Sequence, residues 1–322
     1  VSSSPSLNPV EKAEEGTNRS TPGPGRGIRC CWRAIGASVR GASHHRAGLP
    51  NQDALRWLPD DGLGPPLVLA IADGHGSAKC FRSHIGSQLA VETAVEVATS
   101  FLEGQGVATD FAAIEGATEA LVRRWQAAAH RHLLAAPFSG AELERLEEQA
   151  GSAARQAVEA NPLLAYGATL SAVLLAESFI LYLQLGDGDV IAVSETGEVS
   201  RPLPADERLF AGQTTSLCAP RAWRDVRVGF QTLSPAEDAP EKIPALILLS
   251  TDGYANSFRD EAGFLQVGSD LLAMIRGEGL DTVAGGLEMW LNEASQLGSG
   301  DDVTVAVLCR LDPVELDPVE VV

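Results

Sequence analysis

Apolar positions in this chain follow two rhythms. Near-continuous apolar runs occupy Leu67–Ala72, Phe179–Leu185, Ile243–Leu249 and Val303–Leu308. Runs of that length with little polar alternation predict strands buried on both faces. Between them the rhythm becomes helical. Ile85, Leu89, Ala90, Val97 and Phe101 share one face, with Thr93 a small polar interruption. They predict a helix over Cys80–Leu102, ended by Gly104 and Gly106. A second helix is expected over Phe111–Leu134, carrying Ile114, Leu121 and Trp125 inward. His130 and His132 stand two apart on different faces of it, cannot share a metal, and are expected to be solvated. A third, Ala141–Ala160, puts Glu142, Glu144, Glu147 and Glu148 on its wet side and stops at Asn161-Pro162.

Further strands are expected at Trp32–Val39 and Ala54–Leu58, and a hairpin at Gly167–Ala176 with Phe179–Leu185, its meander continued by Val190–Ser194. Residues 197–242 read as loop-rich. Helices follow at about Asp270–Ile275 and Asp281–Ser295, then the last strand. Strands, helices, strands, helices and a final strand, mostly joined as hairpins, give an α+β fold of antiparallel sheets covered by helices from outside.

The ends of the apolar runs carry the chemistry. The first stops at Asp73-Gly74-His75-Gly76, the second at Gly186-Asp187-Gly188 and the third at Ser250-Thr251-Asp252-Gly253. The fourth has its acids in front, in Gly300-Asp301-Asp302. One Asp-Gly is an ordinary turn. Four acidic strand ends are different, because in antiparallel sheets the start of one strand lies beside the end of its neighbour. Asp73, Asp187, Asp252 and Asp301 can thus meet at one edge. Carboxylates gathered there repel unless a cation neutralises them, and an all-oxygen shell favours Mg²⁺, Mn²⁺ or Ca²⁺. The segment Arg40–Asp53 adds His, Arg, Gln and Asp in a loop suited to a polar ligand. Asp187-x-Asp189 is not an EF-hand, since Ile191 and Ala192 stand where a ligand and a glycine are needed. Gly23-Pro24-Gly25-Arg26-Gly27 lacks the Gly-Lys-Ser/Thr of a phosphate-binding loop.

Composition narrows the partners. The 322 residues hold 24 basic and 43 acidic side chains, a net charge of −19 that disfavours nucleic acid or an anionic membrane. A phosphorylated substrate stays open if bound metal supplies positive charge. Cys30, Cys31, Cys80, Cys218 and Cys309 show no paired spacing and suit free thiols in a reducing compartment. With no membrane-length apolar run and no signal-peptide pattern, the protein is expected to be cytoplasmic. Residues 1–29, rich in Ser, Pro and Gly, are expected to be a disordered tail, and 312–322 an acidic one.

Six motifs together resemble the metal-dependent serine/threonine phosphatases of the PPM, or type 2C, family, in its bacterial branch. They are Asn51-Gln52-Asp53-Ala54, Ala72-Asp73-Gly74-His75-Gly76, Tyr166-Gly167-Ala168-Thr169, Gly186-Asp187-Gly188, Ser250-Thr251-Asp252-Gly253 and Gly300-Asp301-Asp302-Val303-Thr304. The resemblance spans 30–311 and implies a four-layer αββα sandwich with metals at one end of the sheets. It implies two ions, Mg²⁺ or Mn²⁺, bridged by Asp73 with help from the Gly74 carbonyl. Asp252 and Asp301 would hold the second ion, and Asp53 would grip metal-bound water. A water between the ions would attack phosphorus in line, with Asp73 and His75 as the catalytic pair and His75 protonating the departing serine or threonine oxygen. Asp187 would serve a third, doubtful ion.

Departures from the pattern are Gln52 for a glutamate, Asn256 for an acid and Asp302 for an asparagine. Gly48 stands where an arginine is usual, so Arg46, with His44, is nominated to bind substrate phosphate. The implied partner is a phosphoprotein made by a serine/threonine kinase, met by a monomeric enzyme. Two alternatives stay open: an inactive phosphatase-like binding module, and a phosphatase of small phosphorylated molecules.

Overall fold

The computed structural model describes residues 31–104, 111–204, 215–233 and 243–311. The expected tails lie outside the described residues, as do Gly106 and much of 197–242. Strand β4 (Leu67–Ala72) explains its own unbroken run. Leu67, Leu69 and Ile71 pack between two sheets, whereas Val68, Ala70 and Ala72 pack beneath helices. A strand covered on both faces has no wet side on which to alternate.

Five antiparallel strands form one sheet, in the order β2 (Ala54–Leu58), β4, β5 (Leu170–Leu175), β6 (Phe179–Leu185), β9 (Arg227–Thr232). The other has six: β3 (Leu63–Gly64), β1 (Cys31–Val39), β11 (Val303–Leu311), β10 (Leu246–Ser250), β7 (Asp189–Val193), β8 (Val199–Ser200). Trp32, Leu67, Ile180, Tyr182, Ile247 and Leu308 help fill the space between the sheets. Helices α2 (Ser83–Gly104) and α3 (Phe111–Ala135) cover the five-stranded sheet, α7 (Glu261–Glu278) and α8 (Leu280–Leu297) the six-stranded one. The result is the expected four-layer α+β sandwich. No described helix is long and apolar enough to cross a membrane.

Register brings the acidic turns together. Ala54 pairs with Ala72, Val39 with Val303, and Ser250 with both Val305 and Asp189. The ends of β1, β4 and β10 therefore lie beside the starts of β2, β7 and β11.

Several elements differ from expectation. The loop between β1 and β2 holds a short helix, α1 (Ala42–Ala47), with no buried residue. The helix expected over Ala141–Ala160 is two, α4 (Gly140–Ala150) and α5 (Ser152–Ala160), parted by Gly151 at φ 83°, a left-handed conformation open to glycine. Strand β7 does not continue the β5–β6 meander; it crosses to the other sheet and pairs with β10 and β8. The helix expected at Asp270–Ile275 is the middle of the longer α7. His132 is not simply solvated, since its Nδ1 lies 2.9 Å from the Tyr166 hydroxyl.

Candidate metal centre

The turn after β4 is zipped on both sides. Asp73 N donates to Thr169 Oγ1 (3.0 Å), and Thr169 N returns a bond to the Asp73 carbonyl (2.8 Å). Gly74 N donates to the Gln52 carbonyl (3.1 Å) and His75 N to that of Gly167 (3.1 Å). Position 74 accepts only glycine, because a Cβ there would lie 2.7 Å from the Gln52 carbonyl oxygen and 2.8 Å from the Ser83 backbone. Asp73 is thereby presented by main-chain bonds and the Thr169 hydroxyl, at the rim of the apolar layer.

Asp53 enters from the lead of β2 and is 5 % exposed. Its Oδ2 accepts from the hydroxyls of Thr251 (2.8 Å) and Thr304 (2.7 Å), both on the opposite sheet. Asp252 opens the short helix α6 (Asp252–Ala255) directly after β10, and Asn256 Nδ2 donates to its Oδ2 (3.1 Å). Asp301 is more open and takes Asp302 N on its Oδ1 (2.9 Å). Asp187 is exposed, close enough to act electrostatically on Asp252 and His75. Asp302 is different in kind: 3 % exposed, it accepts from Gly41 N (2.6 Å), Gln52 N (2.6 Å) and the ring of His44 (2.8 Å). It ties the segment 41–52 to β11.

The electrostatics are those of buried carboxyl groups crowded together. Burial, and then neighbouring carboxylates, push the carboxyls of Asp53 and Asp73 well above the ordinary range. Asp252 is raised mainly by burial, with Asp187 and Asp301 adding to it. Asp73 and Asp252, which follow strands of different sheets, lie close enough to act on each other. Among the described residues no lysine or arginine pairs with Asp53, Asp73, Asp252 or Asp301; the ion-pair contact made there is by His44. The side-chain oxygen of Gln52 is also buried without a hydrogen-bond partner. Oxygen donors in this state fit one or more divalent cations. Burial pulls the His75 imidazole below its ordinary pKa, and Asp187 opposes that pull.

The predicted acids thus gather at one end of the sandwich. Arg46 does not join them: it stands exposed in the last turn of α1, with no hydrogen bond or ion pair to the acids among the described residues. His44 does, through Asp302 and, at 3.8 Å, Asp301. Sequence reasoning assigned nothing to Thr169, Thr251 and Thr304, whose hydroxyls seat Asp73 and Asp53. Their signal was present, since each lies inside a motif already singled out.

The family model for protein phosphatase 2C matches residues 40–292. No curated protein is significantly similar in sequence. Solved structures are similar in fold at low identity. A mutant bacterial serine phosphatase covers 88 % of this chain and 99 % of its own, at 14 % identity and a TM-score of 0.54. The Mycobacterium tuberculosis serine/threonine phosphatase PstP covers 88 % and 100 %, at 18 % identity and 0.51. The catalytic domain of PstP with two manganese ions covers 88 % and 99 %, at 18 % and 0.50. With the family model matched over most of its length, this chain belongs to the protein phosphatase 2C family.

Proposed function

We propose that this chain is a Mg²⁺- or Mn²⁺-dependent protein phosphatase that hydrolyses phosphoserine and phosphothreonine. The observation that supports it most is the crowding of Asp73 and Asp252, from different sheets, with Asp53 and Asp301 close enough to raise the Asp73 carboxyl. Asp73 and the Gly74 carbonyl would face two ions, Asp252 and Asp301 one of them, and Asp187 a weaker third. Bound there, paired divalent cations neutralise phosphoryl charge and activate water. Asp53 would orient that water, braced by Thr251 and Thr304. His75 would pass a proton to the departing serine or threonine oxygen. Because burial lowers its pKa, the protonated fraction, and with it this step, would decline as pH rises toward neutrality. Arg46 would reach the substrate phosphate from the open end of α1. The substrate would be a cytoplasmic phosphoprotein produced by a serine/threonine kinase and met by a monomer.

The test is hydrolysis of a phosphothreonine peptide with Mn²⁺, with Mg²⁺ and with EDTA, beside Asp252→Asn. Metal-dependent turnover lost in the variant supports the reading. A folded, Mn²⁺-binding protein with no turnover sinks it in favour of a binding module. Turnover of small phosphate esters but of no phosphopeptide would move the substrate to small molecules.

A further inference from the structure

Among the described residues, one group of three side chains has ligand atoms all within 4.8 Å of one another: His44, Asp301 and Asp302. We propose that His44 is itself a metal ligand. Its Nε2 binds the same cation as Asp301, while Asp302 orients the ring from behind without touching the ion. The inference rests on the metal-centre reading above and adds a nitrogen donor to it.

Asp302 is already committed. Oδ1 accepts from Gly41 N, and Oδ2 from Gln52 N and the ring of His44, all inside a side chain 3 % exposed. A carboxylate so occupied does not turn toward an ion. What it does is accept a hydrogen bond from the N–H at His44 Nδ1 (2.8 Å), which leaves the lone pair on Nε2. A carboxylate behind one ring nitrogen and a metal before the other is the common setting of a ligand histidine. Nε2 lies 3.8 Å from Asp301 Oδ1. Two donors at that separation share one ion at roughly 2.0–2.2 Å from each.

Main chain sets this spacing. Gly41 is pressed against Asp301 so closely that a Cβ would lie 2.3 Å from its carbonyl carbon. Ser43 N (2.8 Å) and Oγ (2.6 Å) both donate to the Gly300 carbonyl. Ser295 Oγ accepts from Ala42 N (3.0 Å) and donates to the Asp301 carbonyl (2.8 Å), closing the loop. The helix carrying His44 and the turn carrying Asp301 therefore form one unit, with the donor pair held before any ion arrives. Direct contact with substrate phosphate, the role nominated from sequence, is less well served. The ring sits between two carboxylates, and negative charge there repels a phosphate.

A nitrogen donor changes which ion is preferred. Mg²⁺ strongly favours oxygen, whereas Mn²⁺ and the later first-row ions accept imidazole. Beside Asp301, this chain selects Mn²⁺ over Mg²⁺.

The experiment is pulsed EPR on the full chain, stripped of metal and loaded with Mn²⁺ alone, with and without ¹⁵N-histidine labelling. His44→Ala and His75→Ala are measured alongside. The expected result is nitrogen coupling to Mn²⁺ in wild type and His75→Ala, and none in His44→Ala. The Mn²⁺ dissociation constant of His44→Ala should rise by about 10–100-fold, with a smaller change for Mg²⁺. Bound Mn²⁺ without nitrogen coupling in wild type overturns the proposal and needs no variant to fold. Coupling that survives His44→Ala overturns it too. Failure of wild type to bind Mn²⁺ at all would overturn the metal-centre reading beneath it.

Discussion

Two polar clusters lie against the five-stranded sheet, and they are built on opposite terms. At the first, Arg82 is 7 % exposed and fully engaged. It donates to both carboxylate oxygens of Glu142 (2.7 and 2.9 Å), to the carbonyls of Ala136 (2.6 Å) and Pro137 (3.1 Å), and to the Tyr166 hydroxyl (3.0 Å). The ring of Phe138 lies 4.8 Å beneath the guanidinium. Glu142 also closes the capping box of α4 with Ser139. At the second, four aspartates crowd one end of the sheets with no lysine or arginine among the described residues to pair with them. The Arg82 bond and the N-cap bonds pull Glu142 down to about 2, whereas burial and like charges push Asp53 and Asp73 up. Arg82 completes its cluster from within the chain; the aspartates leave theirs to be completed from outside. Crowded like charge in an otherwise well-satisfied fold marks where a ligand belongs.

The sharpest way to break this contrast is Asp73→Asn. Turnover should fall by at least about 10³-fold, roughly 4 kcal/mol of barrier. Stability should move the other way: without metal, the variant should melt above metal-free wild type, because one crowded carboxylate is gone. A lower melting temperature would show that the aspartates are not in tension. Next comes Arg82→Ala, which takes the guanidinium from Glu142, the Tyr166 hydroxyl and two carbonyls and leaves a cavity. Chemical denaturation should show a loss of about 3 kcal/mol. Adding Mn²⁺ at 100 times its dissociation constant should raise wild-type stability by about 2.7 kcal/mol, and that of Asp73→Asn far less. The smallest effect is on pH. The Glu142 pKa falls from 4.5 to about 2 on folding, so its stabilisation is complete above 4.5 and is lost as pH drops toward 2. Urea titrations across that window should show a shallower acid slope for Glu142→Gln.

Much of this was readable in advance, for reasons that lie in particular residues. Strand β2 has the expected bounds, Ala54–Leu58, and β11 begins at the expected Val303, because apolar runs bounded by polar turns are local signals. The gathering of acids followed from antiparallel order. What stayed hidden was set at long range. Gly186-Asp187-Gly188 is written like a hairpin turn, and only the pairing of Asp189 with Ser250 sends β7 to the other sheet. Helix α1 has no apolar stripe; bonds from Ser43 to Gly300 and from Ala42 to Ser295 hold it. Asp301 and Asp302 are chemically identical neighbours. Which one faces inward depends on the backbone amides of Gly41 and Gln52, hundreds of residues earlier in the chain.

The threonine bridges to Asp53 have a mechanical reach. Most of the seam between the layers is hydrocarbon, Leu67, Leu69, Ile180 and Ile247 among it, and holds without help. At the acidic end the seam is made of hydroxyls and carboxylates drawn from both sheets, and an ion bound there would act as a rivet through two plates. On the proposed function, chelation would then do more than stop chemistry. It would let water into one end of the seam, so amide protons at Ala54, Ala72 and Val303 should exchange faster while the far end of the β5–β6 hairpin keeps its pace.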